Sequence, residues 1–203
     1  MKASLRKEIT DYKAFVLDMD GTLYYQIPLR FCMAFALFFY YIFHLRKTKD
    51  LWAIYHYRKK NETGELQKQS PNIALWMQKK PQQYIHLFRD QKLIQFAQTM
   101  QEKGAKIVVY SDYPLQGKLE ALPSFVPDFT FSSDNTEIQT LKPDNKGLLH
   151  IINLLNLSVE DIVFIGDRFE KDAACAIQTG MDYIVLHRNP LIRNKIYRKI
   201  KIK

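Results

Sequence analysis

Cysteine is scarce in this 203-residue chain, with only Cys32 and Cys175, far apart in sequence. Two distant cysteines build no disulfide framework, so a reducing cytosolic setting is the expectation. Residues 1–11 carry charges but no apolar stretch, which is not the pattern of a signal peptide. The apolar run over residues 31–43 is 13 residues long. A bilayer-spanning helix needs about 20, so this run reads as a buried or interfacial helix. Five histidines, His44, His56, His86, His150 and His187, show no metal-ligand spacing and read as surface or packing residues. No internal repeat and no low-complexity tract is visible. Together these gaps argue against a disulfide-stapled scaffold, a membrane-spanning helix and a repeat array.

What is present is a core. Hydrophobic residues make up 47% of the chain and charged residues 25%, which argues against disorder. The formal net charge is +9, and it is unevenly spread. Residues 1–23 are neutral, residues 24–91 carry +7, residues 92–187 carry −5 and residues 188–203 carry +7. The chain therefore reads as a neutral-to-acidic core with two basic appendages. That distribution suits a general nucleic-acid binder poorly.

The stretch Ala14-Phe15-Val16-Leu17 reads as a strand buried on both faces, the look of a central parallel strand. Asp18 and Asp20 stand where it ends, and Gly21 lets the backbone turn sharply. In an open α/β sheet, ligands bind at the carboxyl ends of the strands. Two acids so close repel unless a cation lies between them, and a hard, oxygen-loving ion such as magnesium answers that need. A solvated surface turn is the plainer alternative for any such pair.

Residues 24–91 have no Val-rich alternating segment. Pro28 can open a helix whose face carries Phe31, Phe35, Phe38, Phe39, Tyr40, Tyr41 and Phe43. Further helices are expected around Leu51 to Tyr57, after Ser70-Pro71 and after Pro81. This block reads as a small, helical, basic and aromatic module. Strand–helix alternation then resumes. Strands are expected over residues 107–110, 129–131, 162–165 and 183–186. Helices are expected over 93–100, capped by Gly104, over 148–155, and over 173–179, capped by Gly180. Repeated units of this length imply a parallel, right-handed α/β sheet. The tail, with Leu191, Ile192, Ile196, Tyr197 and Ile200 among its cations, has an amphipathic basic pattern. It reads as a final helix packed on the sheet, or as an attachment to an anionic membrane surface.

Three further strand-end signals follow Asp18-Met19-Asp20-Gly21-Thr22 in order. They are the apolar segment from Ile107 to Ser111, Lys142 in the loop before a helix, and Gly166-Asp167 followed by Asp172. This set resembles the four motifs of the haloacid dehalogenase (HAD) superfamily: D-x-D-G-T, an apolar strand ending in Ser or Thr, a lone lysine, and G-D-x-x-x-x-D. The resemblance covers residues 1–23 and about 92–187. It implies a Rossmann-like parallel sheet flanked by helices, with residues 24–91 as a helical cap inserted into a core of 1–23 and 92–203.

The resemblance also implies a magnesium-dependent phosphatase acting on a small phosphate ester. Asp18 would be the nucleophile that forms an aspartyl-phosphate, and Asp20 the general acid and base. Lys142 would offset charge on Asp18 and the phosphoryl group. Ser111, with Asp112, Gly21 and Thr22 beside it, would form the phosphate-binding surroundings. Asp18, Asp167 and the backbone carbonyl of Asp20 would hold magnesium. Asp172 would be a ligand or a carboxylate behind the ligands, and it can equally serve as an acid at a helix start. Asp112 stands where many members have Asn, so it is expected to point away from the phosphate or to bond backbone. The aspartate at position 20 favours phosphate esters over carbon–halogen or phosphonate substrates. A mutase of the same superfamily is the nearest alternative, and a membrane-surface protein without turnover the one from another class. The aromatic, basic module suits an apolar leaving group. A cytoplasmic protein is expected, with peripheral attachment to anionic membrane as the alternative, and no nucleic-acid partner.

Overall fold

The computed structural model describes residues 3–43 and 80–202. Six strands form one sheet: β1 Ala3–Ser4, β2 Ala14–Leu17, β3 Lys106–Ser111, β4 Phe129–Ser132, β5 Ile162–Gly166 and β6 Asp182–Val185. Their spatial order is β1-β6-β5-β2-β3-β4. All pairs are parallel except β1 with β6. The expected α/β architecture is therefore observed. Strand β1 is an addition, a two-residue edge too short to show any period in sequence.

The helices are α1 Gln26–Ile42, α2 Lys80–Tyr84, α3 Gln91–Glu102, α4 Lys146–Leu155, α5 Ala174–Thr179 and α6 Pro190–Lys199. Alternation along each central strand splits the core in two. Phe15, Leu17, Ile107, Val109, Val163 and Ile165 face one side, where Leu93, Ile94 and Tyr197 cover them. Ala14, Val16, Val108, Tyr110, Ile162 and Phe164 face the other, under Leu148, Ile151, Cys175 and Ala176. Burial on both faces is why these strands are continuously apolar rather than alternating.

Helix α3 is capped by Asp90, whose carboxylate accepts from Leu93 N at 3.2 Å. Helices α4 and α5 end on residues in the left-handed region, Asn156 and Gly180. Asn replaces the more usual Gly at the first of these, which its short polar side chain permits. Between β5 and α5 the chain makes a π-type turn, Phe169–Ala173, which carries Asp172 into the core.

The tail is not an appendage. Helix α6 packs Ile196 and Tyr197 against the sheet and buries Arg193 completely. A basic count reads such an arginine as surface charge, whereas here it is an internal tie. Helix α1 follows the expected line, beginning two residues before Pro28. Leu29 and Met33 are buried, while Phe31, Phe35, Phe38, Phe39 and Phe43 are exposed. The expected helices near Leu51 and Ser70-Pro71, the cluster Arg58-Lys59-Lys60, and the histidines His44 and His56 lie outside the described residues. No described helix is long and apolar enough to cross a membrane.

The chain leaves β2 through Tyr24-Tyr25 and returns to α3 through Phe88 to Asp90, and these two stretches lie side by side. Tyr24 bridges Arg89, Tyr25 N donates to Phe88 O at 2.8 Å, and Asp90 N donates to Leu23 O at 2.8 Å.

Candidate active site

Register brings the chemistry together. Leu17 lies opposite both Val109 of β3 and Ile165 of β5. The next residues of β2 therefore run beside Ser111 on one flank and Gly166-Asp167 on the other. Asp18 N donates to Ile165 O at 2.9 Å, which continues the ladder to the first carboxylate. Asp18, Asp20, Ser111, Asp112, Lys142, Asp167 and Asp172 are all buried.

Lys142 is the hub. Its ammonium lies 2.5 Å from Asp18 Oδ1 and 2.7 Å from Asp172 Oδ1. The rings of Tyr110 and Phe164 stand 5.4 Å from the same nitrogen and offer it their negative faces. Burial works against its charge, but Asp18 and Asp172 hold its pKa well above the ordinary lysine value. Asp112 carries the lysine's backbone: Lys142 N donates to Asp112 Oδ1 at 2.9 Å. The other oxygen of Asp112 pairs with Lys171 at 3.2 Å. Bonding to backbone is one of the two orientations expected for Asp112.

Thr22 donates its hydroxyl to Asp18 Oδ2 at 3.1 Å. Both oxygens of Asp18 are thus oriented, one by an ammonium and one by a hydroxyl. Gly21 has φ +97°, and a Cβ there would stand 2.5 Å from Asp167 Oδ2. The glycine is required twice, for its backbone conformation and for the room that Asp167 occupies. Ser111 ends β3, and its Oγ accepts from Tyr113 N at 3.1 Å, leaving the hydroxyl hydrogen for a ligand oxygen.

Asp20 has two partners that sequence reasoning missed. Lys118 lies 2.6 Å from Oδ2, and the Tyr24 hydroxyl donates to Oδ1. Burial pushes the Asp20 carboxyl up, yet the Lys118 ammonium and the Tyr24 bond outweigh it and hold the group below the usual carboxylate range. Tyr24 could be suspected from its place just past the first motif. Lys118 sits in a loop 98 residues from Asp20 and carries no such signal.

The acidic cluster has the chemistry of a cation site. Oxygens of Asp18, Asp167 and Asp172 lie within 4.8 Å of one another. Burial, opposed by Lys142 and reinforced by Asp172 and Asp167, pushes the Asp18 carboxyl up to about 8. Burial and Asp172 raise Asp167 too, against Arg188. Oδ1 of Asp167 is buried without a hydrogen-bond partner. A lone-pair donor left without a hydrogen bond among crowded carboxylates fits a hard divalent ion. Asp172 is differently placed. One of its oxygens holds Lys142, and the other accepts from Asp167 N at 3.0 Å and Arg168 N at 2.9 Å.

The sequence over residues 12–180 matches the model of the haloacid dehalogenase-like hydrolases. The chain belongs to that family. No curated protein matches it. Among solved structures, a HAD phosphatase from Thermococcus onnurineus aligns at 21% identity and TM-score 0.60, covering 88% of this chain and 87% of that one. A HAD-hydrolase from Bacillus subtilis, solved bound to magnesium, aligns at 15% identity and TM-score 0.64, covering 97% and 100%. A 2-haloacid dehalogenase from Pseudomonas syringae aligns at 17% identity and TM-score 0.59, covering 86% of each chain. At these identities the likeness is one of fold. Asp18, Ser111, Lys142 and Asp167 all lie within the matched residues. The family leaves the substrate open.

Proposed function

We propose that this HAD-family hydrolase is a magnesium-dependent phosphatase that cleaves a phosphate monoester through an aspartyl-phosphate on Asp18. The observation that carries this reading is the pairing of two buried carboxylates in opposite settings at the end of β2. Asp18 is fixed by Lys142 and Thr22, and Asp20 by Lys118 and Tyr24.

Asp18 Oδ attacks phosphorus, a P–O bond to Asp18 forms and the ester P–O bond breaks. Asp20 delivers a proton to the departing alkoxide and so ends this step as a carboxylate. In the second step Asp20 takes a proton from water as the water oxygen bonds phosphorus. The P–O bond to Asp18 breaks, and phosphate leaves with Asp18 restored. Lys142 compensates negative charge on Asp18 and on the incoming phosphoryl group throughout. Ser111 donates to a phosphoryl oxygen. Asp112 and Asp172 hold Lys142 in place, one through its backbone and one through its ammonium. Magnesium, held by Asp18, Asp167 and the Asp20 carbonyl, would neutralise the dianionic phosphate so that a carboxylate can approach it. The insertion over residues 24–91 would act as a cap that excludes water and shapes the leaving-group side.

Phosphate release from p-nitrophenyl phosphate and a panel of alkyl and sugar phosphates, with magnesium and with chelator, tests the reading. Magnesium-dependent release that disappears in D18N is expected. Interconversion of sugar phosphates without net release would instead make it a mutase. Absence of turnover across the panel would remove the enzymatic reading.

A further inference from the structure

Helix α1 is apolar on both of its faces. Its inner face, with Leu29 and Met33, is buried. Its outer face repeats Ile27, Phe31, Phe35, Phe38 and Ile42 at spacings of three and four, so these side chains form one stripe. That stripe is open to solvent: Phe31 is 74% exposed, Phe35 66% and Phe38 62%. Phe35 and Phe38 stand edge-on to Phe39, with ring centroids 4.7 and 5.7 Å away. A helix apolar all round is ordinarily covered all round. A continuous apolar patch left outside marks a surface that meets another one.

The charges around the stripe identify that other surface. Helix α1 has no acidic residue, and Arg30 is exposed on it. Helix α6, from the far end of the chain, flanks the start of α1: Ile27 and Pro28 line a cleft together with Ile192, Lys195 and Lys199. Helix α6 also lacks acids, and it adds Leu191 and Ile192 as exposed apolar side chains. Lys195 and Lys199 stand one helical turn apart, are exposed, and form no ion pair among the described residues. Other cations of the same tail are committed elsewhere: Arg193 to Asp90, and Lys201 to Glu8. Glu170 is the one exposed acid among the residues lining the cleft. Aromatic rings beside free ammonium groups suit an anionic bilayer, where rings enter the headgroup boundary and ammoniums meet lipid phosphates. A second copy of this chain suits them less. A two-fold contact through the stripe sets the same cations against each other.

We propose that the outer face of α1, with the exposed edge of α6, docks this protein on an anionic membrane surface. Helix α1 has 17 residues, about 25 Å of length, and it lies along the interface rather than through it. None of the docking residues belongs to the site at the strand ends, so the proposal stands or falls separately from the phosphatase reading.

Co-sedimentation of the full chain with vesicles tests it. Vesicles of phosphatidylcholine alone are compared with vesicles of equal parts phosphatidylcholine and phosphatidylglycerol, at low and at high potassium chloride. Binding to the anionic vesicles is expected, weakening with salt, with little binding to the neutral ones. F31Q/F35Q/F38Q should bind the anionic vesicles at least about tenfold more weakly, because the apolar contact is gone. K195Q/K199Q keeps the rings and should also lose about tenfold, with a flatter salt dependence. Both variants should keep the wild-type melting temperature, since the replaced side chains are exposed. Equal binding to the two vesicle types, binding to neither, or undiminished binding by both variants would overturn the proposal. A lowered melting temperature in the aromatic variant would place the rings inside the chain's own packing. Dimers of the wild type that the aromatic variant abolishes would give the face to a second copy. Either result overturns membrane docking as well.

Discussion

Arg193 and Asp90 form a fully buried ion pair, 2.9 Å between Nη1 and Oδ2, across 103 residues of sequence. Tyr197 adds a hydroxyl to the same carboxylate oxygen at 2.7 Å. The arginine also donates to the Thr22 carbonyl at 3.0 Å and to the Gly21 carbonyl at 2.5 Å. Helix α6 is therefore tied both to the loop after β2 and to the start of α3. Asp90 is at once the cap of α3 and the anion of this tie.

Replacing Arg193 by Leu strands Asp90 as an uncompensated buried carboxylate. The expected loss is about 3–5 kcal/mol of unfolding free energy, read from denaturant midpoints. The double variant R193L/D90L should be more stable than R193L alone, because no charge is then left unpaired. A double variant that loses the sum of the two single losses would show that the two residues are not coupled.

Asp18 sets a pH dependence. Burial pushes its carboxyl up to about 8 in the folded, metal-free protein, from the 3.8 of a solvated aspartate. Between those values the folded state holds a proton that the unfolded state has lost. Stability of metal-free protein should therefore fall as pH rises across that window. D18N, with no charge to bury, should show a flatter profile in chelator and no phosphatase activity. Magnesium should raise the wild-type melting temperature more at pH 8 than at pH 5. Parallel profiles for wild type and D18N would remove Asp18 as the source.

The residues legible in the sequence are those whose type is dictated by position on a strand. Asp18, Ser111 and Asp167 lie at or just beyond the ends of apolar runs, and the register of a parallel sheet brings such ends together whatever the loops do. Lys142 was legible through its place in the series of motifs. Tyr24, Lys118, Asp90 and Arg193 were not, because their roles are long-range. Lys118 reaches Asp20 from a loop without periodicity, and only the fold shows it. Arg193 was hidden by its neighbours: in a tail with seven cations, charge counting cannot pick out the one that is buried. Asp112 was legible in part. A carboxylate there was expected to point away or to bond backbone, and it bonds the backbone of Lys142.

Asp172 and Asp167 should fail differently. Asp167 offers an oxygen with no hydrogen bond, so D167N should lose most magnesium affinity, seen as loss of the magnesium-induced melting shift. Both oxygens of Asp172 are occupied, so D172N should retain a magnesium shift while kcat falls. A loss of about 10–100-fold is the usual cost of removing a group that orients such a centre. D172N that abolishes magnesium binding with D167N leaving it intact would reverse the two assignments.

The Asp20 partners make the last expectation specific. Lys118 and Tyr24 hold the carboxylate in place and lower its proton affinity in the ligand-free protein. To serve as an acid it must be protonated once substrate arrives, and an incoming phosphate competes for the Lys118 ammonium. D20N removes the proton carrier and should slow hydrolysis of an alkyl phosphate by about 10²–10⁴-fold. For p-nitrophenyl phosphate the leaving group departs without a proton. The first step, read as a burst of p-nitrophenol, should therefore survive in D20N while the second, which needs a base, is slow. K118A should shift the acid limb of the kcat profile upward, because Asp20 loses the ammonium that holds its proton affinity down. An unshifted profile with normal kcat would place Lys118 outside the proton-transfer machinery. Equal slowing of burst and steady state in D20N would mean that Asp20 acts by position alone.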